Sequence, residues 1–147
     1  IQSNKTQSLA NQFDWVHSID RLKIAKRLSS ARFDESPPLN VCIQINISSE
    51  ESKGGVELSN AMALAAEIEK LPNLSLRGLM CIPLASTNKQ VIKDQFDKLN
   101  NLFNDLVNKG HVLDTLSMGM SQDFELAIEC GANVVRVGTG IFGKRNQ

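Results

Sequence analysis

At 147 residues, with 41% hydrophobic and 22% charged side chains, the chain has the make-up of one ordinary globular unit, expected to be a single domain over residues 1–147. Sixteen basic side chains balance sixteen acidic ones, and no basic stripe is interleaved with aromatics, so neither nucleic acid nor an anionic membrane surface is an expected partner. No apolar run approaches the ~20 residues of a membrane span, and nothing at the start resembles a signal peptide; the expected location is the cytoplasm.

The chain opens at Ile1 in a polar stretch, QSNKTQS, and then alternates between two hydrophobic periods. Phe13 to Ile19 reads as a short strand, followed by Asp20 as helix N-cap and a helix carrying Leu22, Ile24, Ala25 and Leu28, closed by the Ser36–Pro38 turn. Asn40 to Ile47 is a β-branched strand. A polar loop containing Lys53 leads to a helix whose apolar Leu58, Ala61, Ala65, Ile68 and Leu71 fall on one face, with Pro72 ending it. Leu74 to Pro83 is a third strand. Thr87 with Gln90 forms a capping-box signature for a helix carrying Phe96, Leu99, Phe103 and Leu106, and Gly110 ends it. Val112 to Met118 is a fourth strand, Gln122 to Cys130 a helix, and Asn133 to Gly138 a fifth strand. Cys42, Cys81 and Cys130 sit far apart inside apolar runs, as small core side chains in a reducing compartment. His17 and His111 share no zinc-ligand spacing with them.

Five strand–helix units in this order are the cadence of a parallel α/β sheet, either doubly wound or part of a βα barrel. An intact barrel needs ~200 residues or more. No glycine-rich phosphate loop follows the first strand, as a doubly wound nucleotide fold would have it. The candidate loops come last, in TLSMGMSQD (Thr115–Asp123) and VVRVGTGIFG (Val134–Gly143). Barrels commonly bind phosphate with the loops after their last two strands and a short extra helix. The expected fold is therefore parallel βα units of a TIM-type barrel, about five of the eight.

Gly138 and Thr139 offer amides and a hydroxyl at the start of a helical turn suited to a phosphate dianion, or else make only a tight turn. Ser117 is expected to contact the phosphate directly. Ser121 supports it while capping the next helix, with Asp123 in the first turn and Gly119 allowing close backbone approach. Arg136 is a charge inside an apolar strand and must be paired with an acid or face a ligand. Asn46 and Met80, near strand ends, are candidates for pocket lining. Lys53 is a weaker ligand candidate, and His17 is read as a hydrogen-bonded core residue.

The segment SMGMSQDFELAIECGANVVRVGTGIFG resembles the C-terminal signature of the YggS/PROSC family, the pyridoxal phosphate homeostasis proteins. IQSNK, IDRLKIA, LNVCIQINISSEESKGG and LRGLMCIP are similar to further segments of that family in the same order. The resemblance implies a barrel of the alanine racemase N-terminal type binding pyridoxal 5′-phosphate (PLP) at its C-terminal face, with Arg136 toward the pyridine nitrogen. It implies a carrier and buffer of PLP that turns over no substrate, with PLP-dependent apo-enzymes as recipients. The family holds PLP as a Schiff base on a lysine of its first strand, in a VSK-like motif that does not occur in this sequence. The expectation is thus a C-terminal portion of the barrel, whose open edges pair with an N-terminal segment or with another copy. Two alternatives stay open: a racemase-like PLP enzyme, for which a sequence without tyrosine lacks the usual second base, and a phosphate-binding barrel piece with a structural role.

Overall fold

A computed structural model describes residues 1–48 and 54–143. Lys53 lies outside the described residues. After a 3-10 turn at Ser3–Lys5, helix α1 (Thr6–Gln12) precedes strand β1 (Trp15–Ile19), α2 (Leu22–Ala31), β2 (Leu39–Ile45), α3 (Leu58–Ile68), β3 (Leu74–Cys81), α4 (Lys89–Asn108), β4 (Thr115–Met120), α5 (Phe124–Glu129), β5 (Val134–Arg136) and the short α6 (Thr139–Phe142). The strands form one parallel sheet in the order β1-β2-β3-β4-β5, curved into part of a TIM-type barrel, with β1 and β5 at its two edges.

The sheet has two unlike faces because successive strand residues point to opposite sides. Val41, Ile43 and Ile45 of β2, Leu79 and Cys81 of β3, and Leu116 and Met118 of β4 join one core with Ile24 and Leu28 of α2, Ala65 and Ile68 of α3, and Phe96, Leu99 and Leu106 of α4. Each such Leu or Ile removed from water contributes ~1.5–3 kcal/mol. The apolar stripe of α4 is therefore core, as its spacing predicts. Cys42 and Met80 are equally buried yet belong to no part of that cluster. They point the other way, into the concave face, together with Gln44 and Ser117, which stand beside Met80 in register.

The sequence expects no helix in the polar opening, yet α1 forms there and buries Thr6 and Ala10. Asp20 does not cap α2. The chain stays extended one residue longer, so Arg21 is the N-cap and the Asp20 carboxylate turns to the Arg21 guanidinium at 2.7 Å. Nor does Thr87 cap α4: Asn88, a stronger capping residue, accepts from the Gln90 amide at 2.9 Å and receives support from Ser86 Oγ. The fourth strand is displaced from its expected span. Gly78 of β3 stands opposite Thr115, so pairing begins there and Val112 is left 88% exposed in the approach.

That register depends on Gly78, where a Cβ would overlap the Thr115 carbonyl. Gly78→Ala is expected to lower the urea midpoint by an amount worth ~1–3 kcal/mol, the usual cost of overpacking a close contact. An unchanged midpoint would show that β3 and β4 are free to separate.

Candidate functional site

All five strands run in one direction, so their C-terminal ends open onto a common face. There the loop after β3, the loop after β4 and the β5–α6 turn enclose a cleft of about 1350 Å³. Pro83, Ser86 and Lys89 form one wall, and Ser121, Arg136, Gly138, Thr139 and Phe142 belong to the other.

Gly138 adopts φ −103° and is the N-cap of α6. Its conformation does not demand glycine. A Cβ built there meets nothing within 4 Å, so the space above it is open to a ligand. Thr139 stands exposed beside it. The turn is held down by Ser121, whose Oγ accepts from the Gly140 amide at 3.0 Å. Ser121 therefore does not cap α5. Asp123 occupies that position and accepts from the Met120 amide at 2.6 Å, so its carboxylate is engaged at the cleft's edge. Gly119, at φ +93°, is required by packing: a Cβ would come within 2.6 Å of the Ala127 Cβ on α5. The close approach that the structure shows at Gly119 is to α5.

Arg136 carries the most unusual environment. Its Nη2 donates to the Cys81 carbonyl at 2.6 Å, while its buried Nε has no hydrogen-bond partner among the described residues. No ion pair to an acid is formed among those residues. Burial lowers its pKa, with nearby Cys81 and Asp123 working against that, but a guanidinium remains protonated at neutral pH. An unfilled buried donor costs about 1–3 kcal/mol. Its presence at a cleft fits an acceptor supplied from outside the chain, such as a ring nitrogen.

Ser117, expected at a strand end, is one of the fully buried residues, at 0% exposure in the middle of β4. It does not line the cleft; its Oγ meets His17 Nδ1 at 3.0 Å. His17 is thus hydrogen-bonded, as its strand position predicts, but it is half-buried on the edge strand and not a core residue. Met80 is likewise enclosed on the concave face. Asn46 follows β2, half-buried, with its amide donating to the Val56 carbonyl at 2.9 Å and its Oδ1 near Ser48 Oγ. Sequence reasoning passed over the wall after β3 and Phe142. In the sequence the sign for it is a phenylalanine set between Gly140 and Gly143 beyond the last strand; its 86% exposure emerges only in the fold.

The model of the alanine racemase N-terminal domain matches residues 1–146. The chain belongs to that family. The pyridoxal phosphate homeostasis protein of Pseudomonas aeruginosa is 53% identical over 146 residues, which are 99% of this chain and 62% of that protein. The chain thus spans somewhat under two thirds of the length of such curated relatives. PipY of Synechococcus elongatus, solved with PLP bound, superposes with a TM-score of 0.86 at 29% identity, over 97% of this chain and 67% of that one. Alanine racemase of Clostridium difficile shares the fold alone, with a TM-score of 0.77 at 14% identity over all of this chain and 38% of that one. Within the family the sequence stands with the homeostasis proteins, as its motifs indicate.

Burial, and then the charge of Arg136, lower the pKa of His17 below the ordinary 6.5. The unfolded chain therefore binds that proton more readily. The stability associated with neutral His17 is present above 6.5 and is lost as pH falls toward the depressed value. The denaturant midpoint should drop between pH 7.5 and 5.5, and His17→Gln should flatten that drop. Equal slopes in both proteins would contradict the assignment.

Proposed function

We propose that the chain binds PLP at this cleft and serves PLP homeostasis as a carrier, without substrate turnover. The observation that carries the reading is the half-buried guanidinium of Arg136, with its buried Nε unfilled and no acid partner among the described residues, beside a glycine turn that leaves room for a phosphate. The names of the relatives and the PLP bound in PipY support the same reading.

The Gly138–Thr139 turn would hold the phosphate through backbone amides and the Thr139 hydroxyl. Ser121 fixes the turn from below through Gly140, so the direct contact first expected of Ser117 passes to residues on the cleft. Arg136 would orient the ring by donating to its nitrogen. When bound, PLP supplies an aldehyde to amines and a ring that withdraws electrons. A guanidinium does not give up its proton readily, so the nitrogen stays unprotonated and the withdrawal is weak. Such an arrangement retains the cofactor and does little to activate it. As the sheet edges are open, we also propose that β1 and β5 pair with further strands of the same protein or a second copy. Apo-enzymes that accept PLP are the proposed recipients.

Gly138→Val tests the cradle cleanly, because the backbone tolerates it and the space it fills is empty. The expected result is native circular dichroism with at least about tenfold weaker PLP binding, ~1.4 kcal/mol. Arg136→Leu is expected to keep PLP bound while moving its absorbance maximum. Unweakened binding in the valine variant would overturn the reading.

A further inference from the structure

Beneath the cleft, the concave face holds a polar layer that this retention does not use. His17 on edge strand β1 reaches Ser117 on β4 past two intervening strands, Nδ1 to Oγ at 3.0 Å. Ser117 stands in register with Met80, and Arg136 bonds the carbonyl of Cys81, the next residue along β3. One residue of strand is a rise of ~3.3 Å. The guanidinium therefore lies about one layer above the His17–Ser117 bond. Trp15 backs the imidazole edge-on, with ring centroids 5.6 Å apart.

We infer that His17 is a positioning residue of the cleft, coupling its own protonation through Arg136 to an anionic cofactor held above it. The inference rests on the reading that Arg136 faces the ring of a phosphate-anchored ligand.

Among the described residues, the groups around this layer leave His17 as the titrating member. Cys42 from β2 and Cys81 from β3 are pushed up to about 12 by burial and stay neutral. Arg77 of β3 lies over Trp15 and is tied to Asp114 and Asn40 at the other end of the strands. Arg136 approaches from β5, and Asp123 acts on it from the cleft's edge. An imidazole changes charge in the range where these groups do not. The positive charge of Arg136 opposes a proton on His17. An anion bound above Arg136 offsets that charge and makes the proton easier to hold. By reciprocity, the cofactor binds more tightly once His17 is protonated.

The test follows the His17 imidazole by nitrogen NMR across pH, in the chain alone, with saturating PLP, and in Arg136→Leu. PLP binding is measured in parallel at pH 5.5 and 8 for the parent and for His17→Gln, which can keep the bond to Ser117 but does not titrate. Arg136→Leu is expected to raise the His17 pKa without ligand. PLP is expected to raise it by ~0.5 unit, equivalent to a threefold change in affinity. His17→Gln should bind like the parent at pH 8 and lose the parent's threefold extra affinity at pH 5.5. That pH profile is a readout a purely structural role would not move, and the NMR titration needs no His17 variant to fold. If PLP binds, with Gly138→Val abolishing binding, yet His17 titrates as before, the inference is overturned while the cleft reading stands. If PLP leaves the cleft residues untouched, both fall together.

Discussion

The site depends on one constraint: the half-buried guanidinium of Arg136 has no acid paired with it among the described residues. Arg136 reaches the Cys81 carbonyl, spends one nitrogen there and leaves Nε unfilled. Burying a charge in this way is costly unless something completes its hydrogen bonding. Asp123, the nearest acid by its electrostatic effect, is bonded to the Met120 amide. The chain thus presents a cation with one donor left open among the described residues, at the end of the sheet where the Gly138–Thr139 turn also opens.

The two-faced sheet makes that arrangement possible. Its outer face is apolar and buried by helices, which fixes the strands without using any of the concave side chains. The concave face is then free to carry His17, Ser117, Met80 and, at the far end, the Arg77–Asp114 pair with Trp15 stacked beneath the guanidinium. Gly78 lets β3 and β4 approach closely and fixes where their pairing begins, so a residue remote from the cleft helps to place Ser117 inside the strand.

Most of this order was legible in the sequence because the period of apolar residues changes cleanly between strands and helices. Arg136 stood out for a physical reason, since a charge in VVRVG has few tolerable environments. That Ser117 lies enclosed within β4, away from the cleft, was not legible. Strand ends depend on register against a neighbour, and nothing local to TLSMGMS shows that pairing starts at Thr115, only that an apolar run exists. The same limit explains Thr87 and Asn88: two adjacent capping residues compete, and the path of the preceding loop decides between them. Helix α1 was hidden because its stability comes from burying Thr6 and Ala10, a weak stripe in a polar segment.

In the proposed function, backbone amides of the Gly138–Thr139 turn take the phosphate and the half-buried Arg136 takes the ring. The most direct measurement is a titration of the isotope-labelled chain with PLP, following backbone amides and the Arg136 Nε–H by NMR. The amides of Gly138, Thr139 and Gly140 should move together with Nε–H, saturably, and inorganic phosphate should move the amides alone. Shifts confined to the shallow basic hollow between α1 and α2, around Lys26 and Arg27, with Gly138 and Arg136 unmoved, would contradict it.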